Sequence, residues 1–192
     1  MRNDFTRIDF GTWCILAPGD KLWEGGTTAI GTQPDMWEFG TSRAAAWDCP
    51  VTVLFSLADV ERHPRSDDLL EVMRHWEDVR EKRWLTPEMK DRLKSPTQEH
   101  HLYLNEEGEY ELLDIEMLPT PPQAPEARGF LFERNGRRVI ACWHTTGSGE
   151  FAIDLGKPET LPLAGMRYLE TDLSREAATA AWTNARFNGV AP

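Results

Sequence analysis

The chain has 192 residues, enough for one large domain or two small ones, and its 40% hydrophobic and 28% charged content is ordinary for a globular protein. A net charge of −11 argues against nucleic acid, which needs clustered Lys and Arg, and against anionic membrane surfaces, while neutral substrates such as sugars stay compatible. No run reaches the ~20 apolar residues of a membrane span, and Met1-Arg-Asn-Asp-Phe-Thr-Arg7 lacks the apolar stretch of a signal peptide, so a cytoplasmic location is expected.

In chain order, Ile8 to Leu16 is an apolar, β-prone run that stops at Ala17-Pro18-Gly19-Asp20. A loop from Lys21 to Gly31 follows, with Gly25, Gly26 and Gly31. Thr32 as N-cap, Pro34 early and Asp35 three residues after the cap predict a helix, with Trp37, Ala44 and Trp47 near one face. Asp48-Cys-Pro50 ends it, and Val51-Thr-Val-Leu-Phe55 reads as a buried strand. Strand, loop, helix, strand is the βαβ unit of a parallel sheet. Next, Leu69, Met73, Trp76, Val79 and Trp84 recur at helical intervals, with Ser66 or Asp67 as cap and Asp78 and Lys82 at the favourable i,i+4 spacing. Thr86-Pro87 starts a shorter helix that fades near Ser95-Pro96.

From about Glu99 the hydrophobic period changes to two. His101 to Leu104, the turn Asn105-Glu-Glu-Gly108, and Glu109 to Ile115 predict a hairpin. The stiff stretch Pro119-Thr-Pro-Pro-Gln-Ala-Pro125 separates it from Gly129 to Trp143, a second hairpin with Asn135-Gly136 at its tip. Glu150 to Leu155 alternates as a further strand, and Ser174 caps a last helix carrying Ala178, Ala181, Trp182 and Ala185 on one side. The expectation is an α/β segment over 1–98 followed by an all-β domain over 99–192, an antiparallel β-sandwich with a C-terminal helix.

This layout resembles the C-terminal portion of (β/α)₈-barrel glycoside hydrolases, in which the last barrel strands and helices run into an antiparallel sandwich. The residues behind the resemblance are Gln33-Pro-Asp-Met-Trp-Glu38, the crossover Ser42-Arg-Ala-Ala-Ala-Trp-Asp48, the amphipathic Leu69 to Trp84 helix, and Phe130-Leu-Phe-Glu-Arg-Asn-Gly136 with Cys142-Trp-His144. It implies a partial (β/α) barrel remnant, a carbohydrate substrate and no cofactor. Whole barrels need ~250 residues, so at most two strands fit here. The implied chain is a fragment that self-associates or needs a missing N-terminal half, with its usual catalytic carboxylates elsewhere. A non-catalytic carbohydrate-binding or protein-interaction module is the alternative.

Barrel enzymes carry their sites on the loops at the C-terminal ends of the strands. That places Asp20, Trp23 and Glu24 on the active face, with Asp35 and Trp37 at the following helix start. Glycosidic cleavage commonly uses two carboxyl groups; Glu24 is the candidate for one, and Trp13, Trp23 and Trp37 offer flat faces for a sugar ring. The bland counterparts are a solvated loop with one anchoring Trp, and helix-dipole partners in Asp35 and Glu38. His63 and His75, surrounded by charges, read as surface residues. His100, His101 and His144 read as exposed or hydrogen-bonded. Cys14, Cys49 and Cys142 read as buried free thiols, and no spacing suggests a metal site.

Overall fold

A computed structural model describes residues 14–17 and 30–189. The chain divides into two compact units, Met1–Leu112 and Leu113–Pro192.

In the first unit, β1 (Cys14–Ile15) pairs in parallel with β2 (Val53–Leu54), and α1 (Pro34–Ala46) is the crossover between them. Pro34 at the first turn has no N–H to leave unsatisfied, and its fixed φ suits a helix start. The N-cap is Gln33 rather than Thr32, because the Thr32 hydroxyl is engaged with β1 instead. At the other end Asp48 takes φ 56°, and the N–H groups of Asp48 and Cys49 return to the carbonyls of Ala45 and Ala44. This is a Schellman closure in which Asp48 stands where glycine is usual. The alanines 44–46 are at most 3% exposed. With so little side chain, they let α1 press against α3 (Ser66–Glu81) and α4 (Pro87–Leu93).

Between β2 and α3 lies α2 (Leu57–Arg62), which the hydrophobic pattern did not foretell: none of its residues is buried. A capping box holds it, with the Asp59 N–H donating to Ser56 Oγ and the Ser56 N–H to the Asp59 carboxylate. α3 follows the expected stripe: Leu69, Val72, Trp76 and Val79 are buried and Met73 is half-buried. Thr86 caps α4 as expected, accepting from the Met89 N–H at 3.3 Å.

β3 (Glu99–Leu104) and β4 (Tyr110–Met117) form the expected hairpin. The division between units falls after Leu112, beyond the boundary expected at residue 98, because Leu102, Tyr110 and Leu112 join the apolar core of the helices.

In the second unit, β5 (Ala127–Arg134) and β6 (Arg137–His144) pair across the Asn135-Gly136 turn, whose φ angles of 54° and 73° are the positive pair a type I′ turn requires. β9 (Arg167–Thr171) pairs with β6 to end the strand order β3-β4-β5-β6-β9. A second antiparallel sheet has the order β10-β7-β8, from β7 (Gly149–Asp154), β8 (Pro158–Pro162) and β10 (Arg186–Gly189). Leu131, Ile140 and Leu169 of one sheet share a core with Phe151 and Ile153 of the other and with Ala178 and Trp182 of α5 (Arg175–Thr183). Ser174 caps α5, as expected. The architecture is thus a mixture of helices and sheets, with no closed barrel among the described residues. No helix among them is long and apolar enough to cross a membrane.

Trp182 is fully buried, and its indole N–H donates to the Pro119 carbonyl at 2.9 Å. Its ring lies flat over Gly129, where an added Cβ would sit 2.6 Å from two ring carbons. Gly129→Ala is therefore expected to lower the stability of this unit by about 1–3 kcal/mol, the usual range for overpacking. Chemical denaturation followed by near-UV circular dichroism checks this; an unchanged midpoint would contradict the close approach.

Candidate functional site

Both connections that follow the parallel strands leave from the same edge of the pair, the C-terminal ends of β1 and β2, where α/β proteins place their ligands. Thr32 closes the base of the first connection. Its N–H donates to the Ala17 carbonyl at 2.9 Å, its hydroxyl donates to the Ile15 carbonyl at 2.7 Å, and it accepts from the Ala17 N–H at 3.1 Å. The Trp37 indole N–H adds a bond to the Ile15 carbonyl at 3.3 Å.

The second connection carries His63 and Arg65 between α2 and α3. His63 is 5% exposed, not the surface residue its charged neighbours suggest. Its Nδ1 accepts from the Arg65 N–H at 2.9 Å, so in the neutral ring the proton sits on Nε2. Burial lowers its pKa; the backbone of Thr32 and Ala17 works in the opposite sense without outweighing burial. Nε2 finds no partner at ordinary hydrogen-bond length among the described residues. The His63 ring therefore fills the corner between the two connections as a neutral group. Arg65 pairs with Asp68 at 3.2 Å, and burial raises the Asp68 pKa against the pull of that guanidinium. Ser66 donates to the Val60 and His63 carbonyls and ties the turn together.

Trp13, Asp20, Trp23 and Glu24 lie outside the described residues; of the loop that carries the last three, the structure fixes the base and not the side chains. Asp35 is half-buried in the first turn of α1, and its charge helps burial to raise the pKa of Glu99. Trp37 does not offer a face to a sugar ring: at 2% exposure it packs in the core of the first unit. Its position on the helix is as expected, but the face on which it lies is turned inward.

Glu38 also departs from its expected role. It is 6% exposed and is no helix-dipole ornament. Oε1 accepts from the Trp76 indole N–H at 3.0 Å and the Leu102 N–H at 2.9 Å, while Oε2 faces His101 Nδ1 at 2.9 Å. Burial acts most strongly and opposes ionisation, yet His101 and the two N–H donors together hold the carboxyl below its ordinary value. Because an ionised carboxylate only accepts, His101 Nδ1 must carry the proton in this pair. One carboxylate thus joins α1, α3 and β3. The cluster is closed, with Trp76 at 1% exposure, and does the work of a clamp.

Other titratable groups are likewise engaged. Tyr110 donates to Asp78 at 2.8 Å, and burial with that carboxylate pushes its pKa up to about 12. Arg43 donates to the carbonyls of Ser95 and Gln98, closing the end of the α4 region. All three cysteines are buried, and burial pushes the Cys142 thiol up to about 12. Among the described residues, no group of three His, Cys, Asp or Glu side chains could hold a metal ion.

Comparison with protein-family models, with curated proteins and with solved structures finds no match for the chain.

Sequence reasoning missed His63 and the Glu38–His101 pair. A signal was present for Glu38: Thr41, Ser42 and Ala45 lie three, four and seven residues on, so it shares a face with small residues and not with charges. A carboxylate on such a face is buried and needs partners. Nothing in the local sequence singled out His101 as one of them, because that pairing spans 63 positions.

Glu38→Gln is expected to cost about 3 kcal/mol or more, as removal of one member of a buried pair does. Since the folded pKa lies below the model-compound value of 4.5, the carboxylate's contribution is full above that value and is lost as pH falls through the folded pKa. The variant should therefore show a shallower loss of stability in acid than the parent. Urea unfolding between neutral and acid pH checks both; a cost below about 0.5 kcal/mol, the scale of surface changes, would contradict the clamp.

Proposed function

We propose that the chain is the C-terminal part of a carbohydrate-active glycoside hydrolase, an α/β segment that forms the rim of a sugar site followed by an all-β sandwich that stabilises it. The observation that carries this reading is the parallel β1–α1–β2 unit with both connections leaving one edge, the first of them held to the end of β1 by Thr32. That edge is where such sheets present their ligands. Among the described residues this sheet has two parallel strands of two residues each, less than an independent sheet needs. Leu54, Phe55 and Leu57, from 49% to 70% exposed beside β2, are consistent with further strands on that side. In this reading those strands come from the same enzyme's remaining barrel or from a second copy of the chain.

The loop above the Thr32 closure holds Asp20, Trp23 and Glu24. Trp23 would stack on the apolar face of a sugar ring, Asp20 would accept from its hydroxyl groups, and Glu24 would contribute a carboxyl to the rim. The remaining catalytic carboxylates belong to strands not in this sequence. The net charge of −11 is compatible with a neutral sugar and unsuited to nucleic acid.

The test is a panel of aryl glycosides for turnover and of free monosaccharides for binding, both with the purified chain. The expected result is no turnover above background, with millimolar sugar binding that Trp23→Ala abolishes. Absence of binding to every sugar would overturn the proposal. So would turnover that Glu24→Gln leaves unchanged.

A further inference from the structure

The turn between α2 and α3 is held by a histidine that must be neutral to hold it. Nδ1 of His63 accepts the Arg65 N–H at 2.9 Å across Pro64. The backbone N–H of His63 donates to the Asp59 carbonyl at 2.9 Å. Its carbonyl accepts from the Ser66 N–H at 3.3 Å and from the Ser66 hydroxyl at 3.1 Å. His63 thus ties the last turn of α2 to the first turn of α3. None of the residues of α2 is buried, so its place rests on its cap, on the half-buried Val60 and on these bonds.

We propose that this turn is an acid-released latch: a proton taken up by His63 opens residues 63–66 and frees α2 at the strand edge, while the core of the first unit stays folded. The argument is one of donors and acceptors, and it does not depend on the sugar reading. In the neutral ring Nε2 carries the proton and Nδ1 offers its lone pair to Arg65. A second proton, drawn from water, can add only at Nδ1. An imidazolium has two N–H donors and no acceptor, so in either orientation of the ring the Arg65 N–H would face a donor and lose its partner. With His63 at 5% exposure and Arg65 at 4%, water replaces that partner only if the turn opens.

The surroundings do not compensate the charge. The Arg65 guanidinium acts on the ring against protonation, and Asp68 of α3 is paired with that guanidinium at 3.2 Å. Asp59 of α2 accepts from the Ser56 hydroxyl at 2.7 Å and from Arg62 at 3.3 Å. The first connection presents the backbone of Ala17 and Thr32, whose favourable effect on the cation is outweighed by burial. His144 makes the same bond, Nδ1 accepting from the Thr146 N–H at 3.1 Å, but its Nε2 lies 3.0 Å from the Glu126 carboxylate. Among the described residues no carboxylate stands in that place at His63 Nε2. In the open turn the ring takes its ordinary pKa of 6.5, above its value in the closed turn, so opening is favoured as pH falls below 6.5 and suppressed above it.

The experiment follows amide hydrogen exchange of the full chain between about pH 7.5 and about pH 5, read as protection factors, together with the His63 ring proton shift. Over this range Glu38 stays ionised, since its folded pKa lies below 4.5. The Arg65 amide should lose about tenfold in protection per pH unit below 6.5 until the ring of the closed turn itself titrates, the slope of one proton taken up on opening. The amide of Val79, fully buried in α3, should keep its protection. His63→Asn supplies an oxygen acceptor for the Arg65 N–H in the manner of an Asx turn and cannot titrate, so it should keep the Arg65 amide protected throughout. Arg65 protection in the parent that stays constant with pH overturns the latch. So does loss in step with Val79, which would be unfolding of the unit. A His63 ring that titrates at or above 6.5 with Arg65 still protected overturns it without recourse to the variant, as does an equal acid loss in a folded His63→Asn chain.

Discussion

The first unit depends on a single ionised carboxylate placed inside it. Burying Glu38 without partners would cost several kcal/mol and drive it to protonate. Three donors on two other elements make burial tolerable: the Trp76 indole, the Leu102 backbone N–H and the His101 ring. Each donor requires its element to be in place, so α3 and β3 are positioned against α1 by direction as well as by apolar contact. Apolar packing alone would let helices slide by a fraction of a turn. A carboxylate with only two oxygens and fixed bond directions does not.

That constraint reaches the strand edge. Holding α1 at a set depth fixes Trp37 and Thr32, whose bonds to Ile15 and Ala17 hold the end of β1. His63 then occupies the corner as an uncharged ring. Burial disfavours a cation there, and the nearby Arg65 charge acts in the same sense. The result is a firm base beneath a loop whose residues were expected to meet the sugar.

The elements most legible in the sequence are those whose information is local. The α3 stripe, the Thr86 and Ser174 caps, and the Asn135-Gly136 turn all rest on residues within a few positions of each other, and all are present. β8, β9 and β10 were not anticipated, because Pro158–Pro162 carries two prolines and the exposed strands alternate weakly. α2 was missed for the related reason that it buries nothing and is held by its cap. At the candidate site, the residues expected on the first connection lie outside the described ones, and the sequence does not show the burial of Trp37, Glu38 and His63. Their burial is set by partners 22 to 64 positions away, or by a turn that wraps the ring inward, and no local pattern records either.

Native-state hydrogen exchange at the Leu102 amide and the Trp76 indole is the most direct measurement of the claim that Glu38 unites the first unit. At neutral pH both protons should exchange only through opening of the whole unit, with equal free energies. Both should lose protection together as acid protonates Glu38. If the two exchanged at different free energies, or kept their protection through that acid range, the clamp would not be what holds α1, α3 and β3 in place.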